Sequence, residues 1–218
     1  MTFPYTHITT LYSSAAVAWL FLGLLMCALG AYVAYPPYWK DCLTAVFSKI
    51  MRRYTDTAKW QPIILSHLFL IGTLSLSFSI AFYQVNMPLG YMMTGMAIII
   101  GLWLLLRLLI ARWLGYIFSI PHEAGAIQED SVSLMMVGSI LLYLICCLEI
   151  LFPNPALTHV LFGIVVCLYV VAMGIKVFIS YVRSLQTLVY VLLYIVTFEI
   201  IPLGALYRAS VHLARLIS

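Results

Sequence analysis

The chain has 218 residues, of which 65% are hydrophobic and 8% charged, with a mean hydropathy of +1.09. Soluble domains run at about 45–50% apolar and ~25% charged. These departures exclude a soluble globular protein, a disordered chain and a nucleic-acid-binding module, and specify a polytopic membrane protein. The net charge of +4, from 11 Lys+Arg against 7 Asp+Glu, bears on orientation in a membrane more than on an acidic partner.

A spanning helix needs roughly 20 mainly apolar residues. The first such segment covers about 15–35 and is ended by Pro36 and Pro37. The residues before it hold no Lys or Arg, so a retained helix is expected rather than a cleaved signal. After it, Trp39, Leu43, Val46, Phe47, Ile50 and Tyr54 recur at spacings of three and four, one face of a helix. Lys40, Asp41, Ser48, Lys49, Arg52 and Arg53 take the remaining positions. The pattern predicts an amphipathic helix over about 38–54, lying in the interface with its basic face toward anionic lipid head groups. It serves either as an anchor or as a docking surface for a lipid substrate or partner.

Span two covers about 63–83, and Ser66, Thr73, Ser77 and Gln84 fall on one line along it. Small hydroxyl residues on one stripe favour close helix packing over a pore lining. Span three covers about 91–113, and the next connection, about 115–131, holds His122, Glu123, Glu129 and Asp130 with no basic residue. Glu129, Asp130 and Ser131 are expected to cap span four, about 132–152. Spans five and six cover about 156–176 and 185–206. The fold class is therefore all-α: one transmembrane domain of six spanning helices plus one interfacial helix.

Lys40, Lys49, Arg52, Arg53, Lys59, Arg107, Arg112, Lys176 and Arg183 lie on one side, and Arg208 and Arg215 on the other. The positive-inside rule then places both termini outside and the odd-to-even connections in the cytoplasm. The five cysteines are an odd number without a C-x-x-C pair and read as packing residues.

Charges within spans are the most informative residues, because each costs roughly 2.5–3.5 kcal/mol at mid-bilayer and wants a partner or water. Glu199 is flanked by apolar residues, and Pro202 cannot donate to the carbonyl of Phe198, leaving an acceptor beside the carboxylate. Such a kink suits a cation or a proton, or a structural lock. Arg107, in the inner third of span three, is expected to snorkel toward the interface. Depth arithmetic puts it about 10 Å from Glu199, which argues against direct contact. Glu149 ends span four and His159 begins span five, while Arg208, His212 and Arg215 share a helix face after span six. Glu149, His159, Glu199, Arg208 and His212 could meet on the outer side as an acid–base or anion site. Their spacing does not make a metal motif, no phosphate loop, nucleophile elbow or nucleotide motif is present, and any cofactor is unknown.

Two patches, Tyr38-Trp39-Lys40-Asp41 and Leu193-Tyr194-Ile195-Val196-Thr197-Phe198-Glu199-Ile200-Ile201-Pro202-Leu203, carry a resemblance. With the length and layout, the chain resembles a family of small integral membrane proteins from Bacteroidota catalogued as a domain of unknown function. The resemblance implies an inner-membrane location and no particular activity. It draws attention to Glu199, Pro202 and the Lys40–Asp41 pair.

Three functions stay open at this stage. The first is a non-catalytic subunit or assembly factor of a membrane complex, with protein partners in the bilayer. The second is a small transporter using Glu199 as a proton or cation site. The third is a membrane enzyme acting on a lipid or isoprenoid at the outer face.

Overall fold

The computed structural model describes residues 15–34, 36, 60–81, 89–152, 154–181, 185–202, 204–205 and 208. The expected interfacial helix with Lys40, Asp41, Lys49, Arg52 and Arg53 lies outside them, as do Gln84 and His212. The described residues are helical, with no strand among them. In chain order they form α1 (Ala15–Ala34), α2 (Trp60–Ala81), α3 (Leu89–Ile117), α4 (Pro121–Leu151), α5 (Pro155–Tyr181) and α6 (Leu185–Tyr194). A π-helical turn, Ile195–Ile200, continues α6. The first five helices are each long and apolar enough to cross a membrane. The chain is a multi-pass membrane protein.

Helix α2 is the centre of the bundle. Half of its apolar stretch is buried, against 17% for α1, α3 and α5. It packs against α1, α3, α4 and α5. Its serines explain the position: Ser66, Thr73, Ser75, Ser77 and Ser79 are all buried, and small side chains let neighbouring backbones approach. Ser75 and Ser77 donate to the carbonyls of Ile71 and Thr73, at 2.6 and 2.8 Å, so their hydroxyls need no outside acceptor. Val17, Phe21 and Leu24 of α1 close over Phe69 and Leu76 of α2. The outward faces carry Leu102, Leu105 and Leu109 on α3 and Val160, Leu168 and Val171 on α5, all exposed as a lipid environment requires.

The connection between α3 and α4 is shorter than the sequence pattern suggests. Helix α4 begins at Pro121, about three turns before the expected start. Glu129, Asp130 and Ser131 therefore lie inside the helix and do not cap it. The apolar length of a span is set by the bilayer, whereas its helical length is set by where the backbone can turn. Here the turn is tight. Ile120 N–H donates to Gly115 O at 2.9 Å and Ser119 N–H to Tyr116 O at 3.1 Å, the paired bonds of a Schellman stop. Ser119 takes φ 56°, the left-handed position such a stop demands. Pro121 and Glu123 then suit the first turn of α4. Gly115 is needed where the two helices meet, because a Cβ there would stand 2.4 Å from the Cβ of Ala124.

Candidate functional site: a buried polar cluster between four helices

The largest buried polar side chain is Arg107, only 1% exposed. It does not snorkel. It lies ten residues before the end of α3, about 15 Å from the α3–α4 turn. Asp130 and Ser131 lie at a comparable depth on the returning helix α4, so the hairpin itself sets them opposite the arginine. Spacings of four then assemble the rest. Ser131 and Met135 share a face of α4, Tyr190 and Tyr194 a face of α6, and Trp103 and Arg107 a face of α3.

The guanidinium donates to Tyr194 Oη through Nε (3.2 Å) and Nη2 (2.6 Å). Nη2 also donates to Ser131 Oγ, and Nη1 points at Met135 Sδ, 3.2 Å away. Ser131 Oγ is 3.0 Å from Tyr169 Oη, which brings in α5. The rings of Trp103 and Tyr194 each lie 5.5 Å from the guanidinium carbon, within cation–π range. One turn nearer the α3–α4 end, Tyr190 Oη donates to Ala111 O at 3.4 Å. Next to Ser131, Asp130 forms an ion pair with Lys176 of α5 at 2.9 Å; the carboxylate is buried and the lysine side chain 10% exposed. The cluster joins α3, α4, α5 and α6 with two cations and one carboxylate among the described residues. Chemically it can hold an anion or pass a proton between hydroxyls, and it locks four helices in register.

A second polar knot sits at the opposite end of the bundle, where α4 turns into α5. Glu149 is buried. Its carboxylate accepts from Thr158 Oγ1 and from Asn154 N at 3.3 Å. Asn154 in turn caps α5, its Oδ1 accepting from Leu157 N at 3.2 Å, with Pro155 in the first helical position. His159 is exposed on the adjacent helix face, and Arg208 is exposed after the last span. Glu149 thus engages its own turn. Among the described residues no three His, Cys, Asp or Glu side chains gather as a metal site.

Glu199 lies in the π-helical turn, and its side chain is outside the described set. Ile201 N–H donates to Val196 O, five residues back. Pro202, the next residue, has no N–H with which to continue that register. Pro202 itself is half-buried.

Sequence reasoning named Arg107 but missed its partners. Ser131 and its neighbour Asp130 looked like caps, and Lys176 like a charge at the end of span five. The usable signals were the Tyr190/Tyr194 and Trp103/Arg107 spacings of four.

No curated protein and no solved structure matches the chain. A family model matches residues 17–209, nearly the whole chain, and the protein belongs to that family, described as Domain of unknown function (DUF4271).

Proposed function

We propose that the protein is a non-catalytic subunit or assembly factor of a bacterial inner-membrane complex, with six spans and both termini periplasmic. The observation that carries this reading is a small-residue stripe on α3. Gly90, Thr94, Ala97 and Gly101 recur at spacings of four, three and four, so they share one face. A Cβ built on Gly90 or Gly101 would meet nothing within 4 Å. Thr94 is exposed and donates within its own helix, to Gly90 O at 2.8 Å. Each helical glycine costs roughly 0.5–1 kcal/mol relative to alanine. No packing among the described residues repays that at these two positions. A second membrane helix lying on the stripe would, because small residues let backbones meet in lipid.

The test is affinity capture from native membranes in mild detergent, followed by native gels. Wild type is expected to bring down a stoichiometric membrane partner, and Gly101→Leu to lose it. Leu106→Ala, on a different exposed face of α3, should keep it. A monodisperse wild type with no partner would end the subunit reading.

One observation favours a second reading, a proton- or cation-coupled transporter using Glu199. The π-helical turn places the glutamate in a backbone irregularity of a kind frequent at functional sites. Glu199→Gln separates the two readings: loss of the captured partner makes Glu199 an assembly residue, whereas loss of proton-coupled uptake with the partner retained makes it a transport residue.

A further inference from the structure

Helices α3 and α5 both pack on α2 and α4, but among the described residues they barely touch each other. The gap between them is a half-open crevice with a free volume of about 50 Å³, floored by α2 and α4. Trp103 of α3 and Phe162, Val166 and Tyr169 of α5 flank it, each half-buried. Its lining, among the described residues, presents no polar surface, so a polar ligand finds no partner there. A single water needs ~10–15 Å³, and the space takes a short run of methylene-sized groups.

Depth decides what fills it. Counted back along α4 from Leu151, Leu142 lies about 14 Å and Met135 about 24 Å from the α4–α5 end. Helix α4 is about 46 Å long, so Met135 stands close to its midpoint. Helix α5 agrees: counted from Pro155, Phe162 lies about 10 Å and Tyr169 about 21 Å in. The hydrocarbon core of a bilayer is about 30 Å thick, and each leaflet fills about half of it. The crevice therefore runs through the deeper part of the leaflet on the α4–α5 side and stops near the midplane, where the acyl chains of that leaflet also stop. Trp103, Met135 and Tyr169 close it there. The same three side chains contact Arg107 or Ser131, so the crevice ends where the polar cluster begins.

We infer that the crevice is a binding site for one acyl chain of a phospholipid in the leaflet on the α4–α5 side. The terminal half of the chain lies between α3 and α5, with its methyl end against Met135 and Tyr169. The chain is recognised by its shape and apolarity, and the crevice selects no head group. It supplies the packing that α3 and α5 do not give each other. The site does not depend on the subunit reading above.

The test reconstitutes the full chain in phosphatidylcholine bilayers doped with phosphatidylcholine that carries a diazirine, either at the end of one acyl chain or at its middle. After irradiation, mass spectrometry maps the labelled residues. The terminal probe is expected to label Met135 and Tyr169, and the mid-chain probe Leu142 and Phe162. Leu102 and Leu168, exposed on α3 and α5 at the depth of the terminal probe, report ordinary contact with lipid. A side chain on Gly138, which lines the crevice and whose Cβ would meet nothing within 4 Å, should fill it. Gly138→Leu is therefore expected to abolish labelling of Met135 and to leave Leu102 and Leu168 labelled. Val166→Phe narrows the same crevice from α5 and decides the question should Gly138→Leu not fold. Labelling confined to Leu102 and Leu168 overturns the site, as does labelling of Met135 that survives in the filled variants. The reverse order, with the mid-chain probe at Met135 and the terminal probe at Leu142, overturns the leaflet assignment.

Discussion

The two polar knots, one deep in the bundle around Arg107 and one at the α4–α5 corner around Glu149, set buried charges to different tasks. Arg107 takes partners 24, 28 and 87 positions away in sequence, on two other helices. Glu149 takes partners five and nine positions away, across one turn. The first knot ties the bundle together and the second fixes a single corner. A buried charge in a membrane helix therefore does not by itself mark a reaction centre. What separates the cases is whether the partners come from neighbouring turns or from separate helices.

The largest effect should come from splitting the Asp130–Lys176 pair. Asp130→Asn leaves a buried ammonium without its carboxylate, a loss of about 3–5 kcal/mol. In detergent the midpoint should fall steeply, and the double variant Asp130→Asn/Lys176→Gln should recover most of the loss, because it removes the stranded charge. A single variant as stable as wild type would show that the pair contributes nothing to holding α4 against α5.

How far the sequence displayed these knots follows from the same distinction. Five of the expected spans coincide with long apolar helices, because apolar length is a local property read along the chain. The sixth is harder to read, since a π turn, Ile195–Ile200, interrupts its helix after Tyr194. The α3–α4 hairpin was hidden because a polar stretch outside the apolar core reads as a loop, although nothing physical prevents it from being helical. Its three-residue turn hangs on Ser119, which carries no glycine signal. The partners of Arg107 were hidden for another reason: their meeting depends on how α5 and α6 rotate against α4, and one sequence does not state that. The partners of Glu149, Asn154 and Thr158, by contrast lie a few residues downstream, close enough in sequence to be looked for there.

A smaller effect tests the corner. Glu149→Gln keeps an acceptor for Thr158 Oγ1 and removes the charge. Thr158 also has the carbonyl of Asn154 within reach at 3.3 Å. The expected loss is about 1 kcal/mol, near the net worth of one hydrogen bond. Proteolysis or hydrogen exchange should locate the change at the α4–α5 turn and leave α6 protected. A loss comparable to that of Asp130→Asn, spread across the bundle, would erase the distinction between the two ends.

The smallest effect sharpens the comparison at the α3–α4 turn, which sets Arg107 opposite Ser131. Ser119 holds φ 56°, where a residue with a Cβ is strained by roughly 1–2 kcal/mol. Ser119→Gly relieves that strain but also frees the unfolded chain, which costs about 0.4–1 kcal/mol. The difference favours glycine by a few tenths to about 1 kcal/mol, or a midpoint rise of about 1–3 °C for a chain of this size. Ser119→Val should move the other way, because a β-branched side chain tolerates the left-handed region worst. If glycine and valine leave the midpoint equal, the stop at Ser119 does not position the hairpin, and the alignment of Arg107 with Ser131 must come from helix packing alone.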